Sequence, residues 1–275
     1  MRIIQTMADG KNKKYLLGAG DHFVEMAYIY LDYRQEYRHI LCISSQIGCR
    51  YGCRFCENRK VRLVRNLTME ELRFQVNTIL TDQAIDSDYE VDFMGVGEPL
   101  ENMENVYALI AADDRAAVMY GISTVVPPGR KLDPYLETMQ GSKLRLQISL
   151  HSSVEAKRNR LIGQALRIQD CIRLAERFYP LYPYRRVAVN YCLIEGLNDS
   201  PPELEELIAF MQLLKGIAYV KISFPNSDCY RKSTRTQDWV DALHENGIAC
   251  KLFSSSSART GMGCGQLTTG WRSGR

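Results

Sequence analysis

The sequence predicts an α/β protein built on a parallel barrel or open sheet. From residue 40 onward, apolar runs of strand length alternate with segments of helical pattern. Repeated βα units of this kind pack their helices over a parallel sheet. Several of the runs are almost continuously apolar, as strands buried on both faces are. The 275 residues, 45% hydrophobic and 24% charged, suit one large soluble domain or a domain with a small extension.

Residues 1–39 read as a β-rich N-terminal extension, with strand patterns over 14–17 and 22–31 and a turn over 18–21. Gly20-Asp21 between two apolar stretches is a hairpin signal. The body, residues 40–253, opens with a strand over 40–44. Further strands are expected over 91–94, 119–125, 144–150, 186–193, 218–224 and 249–253. Thr68, followed by Glu71, is a capping box that opens a helix running to about Thr81. Other helices are expected near 103–115, 168–178, 202–214 (entered through Pro201-Pro202) and 234–246. Residues 254–275, with a serine tract and a glycine-rich stretch, read as a flexible tail carrying Cys264.

Composition narrows the function. No apolar run approaches the ~18–20 residues that span a bilayer, and the N-terminus lacks the apolar stretch of a signal peptide. A cytoplasmic protein without a membrane partner is expected. Its nine cysteines then argue against a disulfide scaffold and for metal or redox chemistry. A net charge of +3 permits a polyanionic partner without demanding one.

The chemistry starts at Cys49, Cys53 and Cys56, a C-x₃-C-x₂-C run directly after the 40–44 strand. Three such thiolates can hold three irons of a [4Fe–4S] cluster and leave the fourth iron open. S-adenosylmethionine (SAM) is the small molecule known to chelate an open iron at this spacing. Gly48 and Gly52 let the backbone fold tightly around a bulky cofactor. Zinc would ask for a second ligand pair, and Cys171, Cys192, Cys229 and Cys250 stand singly, so zinc or inert thiols is the weaker reading.

Four strand ends add to the loop. The 91–94 strand runs into Gly95, Gly97, Glu98 and Pro99. At the C-terminal end of a parallel strand this presents polar backbone and a carboxylate to a ligand. Glu98 suits an ammonium; an ordinary βα turn is the alternative. Ser149-Leu150-His151 ends another strand, where Ser149 and His151 could bind a carboxylate or ribose. A helix cap at Ser149 or Ser152 beside a solvated His151 explains it equally well. Ser123 and Asn226 belong to the same class. Finally, Cys42 lies on the strand feeding the loop, and Cys264 is flanked by glycines, a setting that seldom makes a core packer. A chance exposed thiol remains the alternative there.

Taken together, these strings resemble the radical S-adenosylmethionine superfamily, and within it the RlmN/Cfr group of RNA adenine methyltransferases. The resemblance rests on Leu41-Cys42-Ile43-Ser44-Ser45-Gln46-Ile47-Gly48-Cys49, Cys53-Arg54-Phe55-Cys56, Arg65-Asn66-Leu67, Met94 through Leu100, Ser149-Leu150-His151 and Cys264-Gly265-Gln266-Leu267. Gly20-Asp21 followed by Val24-Glu25 resembles the family's approach to the cluster strand. The likeness runs over roughly residues 14 to 270.

The resemblance implies a partial (β/α)₆ radical-SAM barrel with a small N-terminal β extension. It implies a [4Fe–4S] cluster on Cys49, Cys53 and Cys56, and SAM lined by Gly97, Glu98, Ser123, Ser149, Leu150, His151 and Asn226. Cys264 would accept a methyl group from one SAM. A radical drawn from a second SAM would activate that methyl for addition to C2 or C8 of adenine. Cys42 would resolve the covalent adduct by a disulfide with Cys264, and Glu25 would accept the proton. A flavodoxin or ferredoxin is the implied electron donor, and rRNA or tRNA the implied substrate.

The chain begins where the family's β lead-in begins, so the family's N-terminal helical RNA-contacting domain is expected to be missing and RNA to be gripped weakly. The same chemistry on a small molecule, free nucleotide or peptide is the second reading. A non-catalytic iron–sulfur protein that binds RNA or senses redox state is the third, and it leaves the strand-end motifs without a role.

Overall fold

The computed structural model describes residues 1–32, 37–113, 115, 118–129, 131–164, 166–226, 229–253 and 266–267. Cys264 and nearly all of the 254–275 segment lie outside the described residues. A ten-stranded sheet organises the rest.

Three antiparallel strands lead in: β1 (Arg2–Asp9), β2 (Asn12–Ala19) and β3 (His22–Tyr30). The β2–β3 connection turns at Gly20-Asp21, as the hairpin signal predicted. β1 was hidden in the sequence because an edge strand with one solvated face carries little apolar pattern. β3 pairs with β4 (His39–Cys42), so the extension continues the main sheet. A short ribbon of β5 (Gln46–Ile47) and β6 (Arg65–Asn66) then frames the cysteine loop.

From β4 the sheet is parallel. Helix α1 (Met69–Asp82) carries the chain to β7 (Tyr89–Phe93), α2 (Met103–Ala111) to β8 (Val118–Thr124) and α3 (Asp133–Leu136) to β9 (Lys143–Ser149). Two helices, α4 (Glu155–Ile162) and α5 (Ile168–Leu181), precede β10 (Val187–Cys192). α6 (Pro201–Leu213) leads to β11 (Ala218–Ser223), and α7 (Thr236–Glu245) to β12 (Cys250–Leu252). The strand order β4-β7-β8-β9-β10-β11-β12 has helical crossovers at six steps. This is the partial barrel expected from the resemblance.

All seven expected barrel strands are present, each displaced by no more than a few residues. The capping box at Thr68 forms, with Glu71 N–H donating to the Thr68 hydroxyl at 3.3 Å and Thr68 N–H to the Glu71 carboxylate at 3.0 Å. α4 was not expected. Its sequence, EAKRNRLI, has too few apolar positions to draw a stripe.

One face of the parallel strands packs against the helices through Val91, Phe93, Tyr120, Ile122, Leu144, Leu146, Val187, Val189, Val220 and Ile222, all buried. The opposite face is polar. In register, Ala27, Cys42, Asp92, Gly121 and Arg145 form one row across five strands. Arg145 pairs with Glu90 and Asp92, both buried. Gly121 between them makes this possible, because a Cβ there would stand 1.9 Å from an Asp92 carboxylate oxygen. A cavity of about 410 Å³ lined by Arg145, Arg185, Arg186 and Lys251 lies at the N-terminal half of these strands, away from the cysteine loop. Among the described residues, no helix is long and apolar enough to cross a membrane.

Candidate active site

The cysteine loop leaves β4 and is stitched to the end of β7. Ile43 and Gly95 are bonded through their backbones across the seam, with Gly95 N–H donating to the Ile43 carbonyl at 3.0 Å. The Ser44 hydroxyl donates to the Glu25 carbonyl at 2.5 Å and accepts from Val96 N–H at 2.8 Å. Gln46 accepts from Glu98 N–H at 2.9 Å, and Gln75 of α1 brackets Ser44 by bonding both its N–H and its carbonyl. The Ser-Ser-Gln string thus works as a frame that fixes the Gly95–Glu98 turn against the cysteine loop. Gly97 sits at φ 111, and a Cβ there would be 2.7 Å from Gln46 Cβ, so only glycine fits the seam.

Within the loop, Gly48 holds φ 75 and lies against the Arg62 carbonyl, 2.0 Å from where a Cβ would be. Cys49 N–H donates to the Val61 carbonyl at 3.1 Å, closing the loop. α4 supports it from behind: Arg54 N–H donates to the Leu161 carbonyl at 2.8 Å, and Cys49 and Cys53 pack against buried Tyr51, Val125, Ile162 and Leu166. The thiols of Cys53 and Cys56 are pushed up to about 12, first by burial and then by the neighbouring cysteine of the trio. Cys49 is raised too, chiefly by burial. These half-buried thiols therefore keep their protons in the absence of a metal, and binding a cluster would displace them.

Glu98 is buried, with 3% exposure, at the start of a 3₁₀ turn (Pro99–Asn102). Its two carboxylate oxygens accept from Leu100 N–H at 3.0 Å and Val125 N–H at 2.9 Å. Burial pushes its carboxyl up to about 7, against the opposing pull of Thr124 and those two amides. Val125 precedes Val126, a β-branched residue at φ 57. Such strain is tolerated where surrounding bonds over-determine it, and it concentrates at ligand sites.

The other strand ends converge here by topology. Ser123 on β8 has a buried hydroxyl with no partner among the described residues. Ser149 ends β9 opposite Asn190 of β10, whose side-chain oxygen is likewise buried without a partner among them. Natural folds satisfy such groups or keep them for a ligand. Leu150 contributes only backbone, because its side chain is fully buried in the core.

His151 is not solvated. It is 4% exposed at φ 60, its Nδ1 accepts from Cys192 N–H at 3.0 Å, and burial lowers it to about 3. It is therefore a neutral imidazole with the proton on Nε2, set edge-on to Phe55 between two of the loop cysteines at 4.6 Å. Asn226 follows β11, and its carbonyl accepts from the Gln266 side chain at 2.8 Å.

Glu25 is on β3, 2% exposed, with Lys14 Nζ 3.0 Å from its carboxylate. Cys42 is half-buried on β4, opposite Asp92. The eight cysteines among the described residues are unbridged, and the Cys42–Cys264 pair lies outside what the structure describes. Sequence reasoning quoted Gln46 in the Leu41–Cys49 string without giving it a role, and it missed Lys14, Gln75, Asn190 and Arg158. Each is a lone polar residue within an ordinary strand or helix, with no local pattern to mark it.

The donor set fits a cluster with SAM. Three clustered thiols, a buried carboxylate and two orphaned polar atoms meet at the C-terminal ends of adjacent strands. Among the described residues, no three His, Cys, Asp or Glu side chains gather as around a single metal ion. A cubane spreads its thiolates over separate irons and asks for wider spacing.

Comparison with known proteins agrees. The family model described as the Radical SAM superfamily matches residues 43–211. The dual-specificity RNA methyltransferase RlmN of a Nitratiruptor species is 30% identical over 287 residues, covering 96% of this chain and 79% of that protein. RlmN of Syntrophobacter fumaroxidans is also 30% identical, covering 94% of this chain and 77% of its own length. The crystal structure of a radical SAM methyltransferase from Sphaerobacter thermophilus superposes with a TM-score of 0.80 at 23% identity, over 96% of this chain and 80% of that one. That likeness bears on the fold.

Proposed function

The chain belongs to the radical SAM superfamily and, within it, to the RlmN methyltransferases, and on that footing we propose that it methylates an sp² carbon of adenine, C2 or C8, in RNA. The RNA substrate is carried over from its relatives, which are RNA methyltransferases. The observation that carries the reading is the seam that fixes the Gly95–Glu98 turn against the cysteine loop.

When bound, a cluster on Cys49, Cys53 and Cys56 supplies the electron for reductive cleavage of SAM; a flavodoxin- or ferredoxin-like donor would deliver it in a cytoplasmic setting. The chain's own residues do the rest. Glu98 receives the ligand ammonium, and Gly97, Ser123, Ser149, the Leu150 backbone, His151 and Asn226 line the remainder of the SAM site. An amidine carbon is not nucleophilic, so the methyl must travel on a carrier, and Cys264 is that carrier. Glu25, held by Lys14, accepts the proton lost from the substrate carbon. Cys42 frees the product by forming a disulfide with Cys264.

The test is anaerobic turnover of the reconstituted chain with SAM, dithionite and an adenine-containing RNA, followed by mass spectrometry of the nucleosides. Methyladenosine together with 5′-deoxyadenosine is expected. Cys264→Ala should stop methylation, and Cys42→Ala should leave a protein–RNA adduct. Full turnover by both variants would sink the carrier mechanism. Methylation of free nucleotides alone would move the substrate to the small-molecule reading, and absence of 5′-deoxyadenosine would favour the non-catalytic one.

A further inference from the structure

Arg158 is the buried cation for which the chemistry above has no use. It lies mid-way along α4 with no exposed surface. One terminal nitrogen, Nη2, donates to the Val125 carbonyl at 2.6 Å and to the Ser149 carbonyl at 3.3 Å. Its other donors, Nε and Nη1, are buried and have no partner among the described residues, and no carboxylate pairs with it there. An uncompensated buried guanidinium is costly, so something anionic is missing from its surroundings.

Its position says what. The Val125 and Ser149 carbonyls end β8 and β9, the strands that bring Ser123 and the 149–151 turn to the site. Val125 N–H meanwhile donates to Glu98. The helix that carries Arg158 also abuts the cysteine loop through Leu161, and through Gly163, where a Cβ would meet the Tyr51 carbonyl at 2.7 Å. Arg158 thus stands behind both the cysteine loop and the turn that leads from Ser149 to His151.

We propose that Arg158 is a positioning residue of the cofactor site: its guanidinium ties the ends of β8 and β9 together and supplies the positive charge that offsets the thiolate-bound cluster on the adjoining loop. This rests on the reading that Cys49, Cys53 and Cys56 hold that cluster. A fixed cation near an iron–sulfur cluster favours the reduced form, which carries one more negative charge. Arg158 therefore makes the cluster easier to reduce as well as holding the strained turn at Val125-Val126.

The test compares wild type, Arg158→Lys and Arg158→Gln as full chains reconstituted anaerobically. Iron and sulfide are counted, and the reduced fraction is read by electron paramagnetic resonance at fixed applied potentials without SAM. Arg158→Gln should lower the reduced-to-oxidised ratio at least tenfold at a given potential, equivalent to 59 mV for a one-electron couple. Arg158→Lys, which keeps the charge and loses the fork, should stay within about threefold of wild type.

An unchanged ratio in cluster-replete Arg158→Gln overturns the proposal. If Arg158→Gln holds no iron, thermal melting of the apo proteins decides. An apo variant that melts like wild type, beside a cluster-bearing Arg158→Lys, supports the charge role. Loss of the cluster from both variants with lowered melting makes Arg158 a strut of the fold and overturns it. A wild type that binds no cluster would instead fail the functional reading.

Discussion

Glu98 and the Lys14–Glu25 pair show how single residues are prepared for work by their surroundings. Burial raises Glu98 to about 7, and a ligand ammonium would favour the carboxylate and draw its value back down. SAM should therefore bind the deprotonated form. Above pH 7 the affinity should level off until the SAM amino group begins to lose its own proton, at about pH 8. Below pH 7, affinity should fall, approaching about tenfold per pH unit. Calorimetry of the cluster-loaded, oxidised protein between pH 5.5 and 8 measures this, and a flat profile would remove Glu98 from the ammonium site. The Lys14–Glu25 pair, with both side chains about 3% exposed, is an ion pair taken out of water. Glu25→Gln should cost about 3–5 kcal/mol of stability, since it removes one charge from a buried ion pair. Replacing both by apolar residues (Lys14→Met with Glu25→Leu) should cost much less. Urea unfolding of the three proteins tests this; equal losses in the single and double variants would mean that burial of the charge pair is not the governing term.

Among the elements, the site depends on one seam. Gly97→Ala places a Cβ 2.7 Å from Gln46 Cβ at φ 111, so β5 must shift or the turn must move. A loss of about 1–3 kcal/mol is expected, with SAM affinity falling in parallel because Glu98 is the next residue. Unchanged melting and binding would show that the turn relaxes freely. The seam also explains what was legible beforehand. Gly95, Gly97, Glu98 and the cysteine trio stand in contiguous strings, so their spacing revealed both the loop and the turn. Gln75 and Asn190 do equal structural duty from separate elements. α4, which carries Arg158, could not be read at all, because a mostly polar eight-residue segment has no periodic face. The partner that buries Arg158 comes from β8 and β9, more than thirty residues earlier in one case.

Across the molecule, the sheet runs unbroken from the lead-in hairpin to β12, so Glu25 and Cys42 reach the polar face through strand register. The outer surface bears on substrate grip. Of the basic residues near the loop, Arg65 is paired with Glu71 at 2.6 Å and Arg50 lies 3.8 Å from Glu101. Arg54, Lys60 and Arg62 are exposed and have no acidic partner among the described residues. Among the described residues, these three are candidate phosphate contacts near the cysteine loop. RNA binding should be weak and steeply salt-dependent. Neutralising Arg54, Lys60 and Arg62 together should reduce the slope of log affinity against log salt by about 2 for single-stranded RNA. An unchanged slope would place the grip elsewhere, and tight binding of wild type at physiological salt would refute the weak-grip expectation.

The chemistry and the class of fold were written in the chain itself. Cysteine spacing specifies a ligand set through local chain geometry, and alternating apolar segments require a parallel sheet covered by helices. Neither depends on distant contacts. How the site is tuned came from packing alone. His151 is neutral because burial disfavours its charged form, and Cys192 N–H, from the next strand, fixes its tautomer by occupying Nδ1. Glu98 is raised because β8 and the 3₁₀ turn bury it, and Lys14 meets Glu25 only because β2 and β3 pair. Protonation and orientation answer to desolvation and to partners brought from far along the chain, and no local string of residues encodes those.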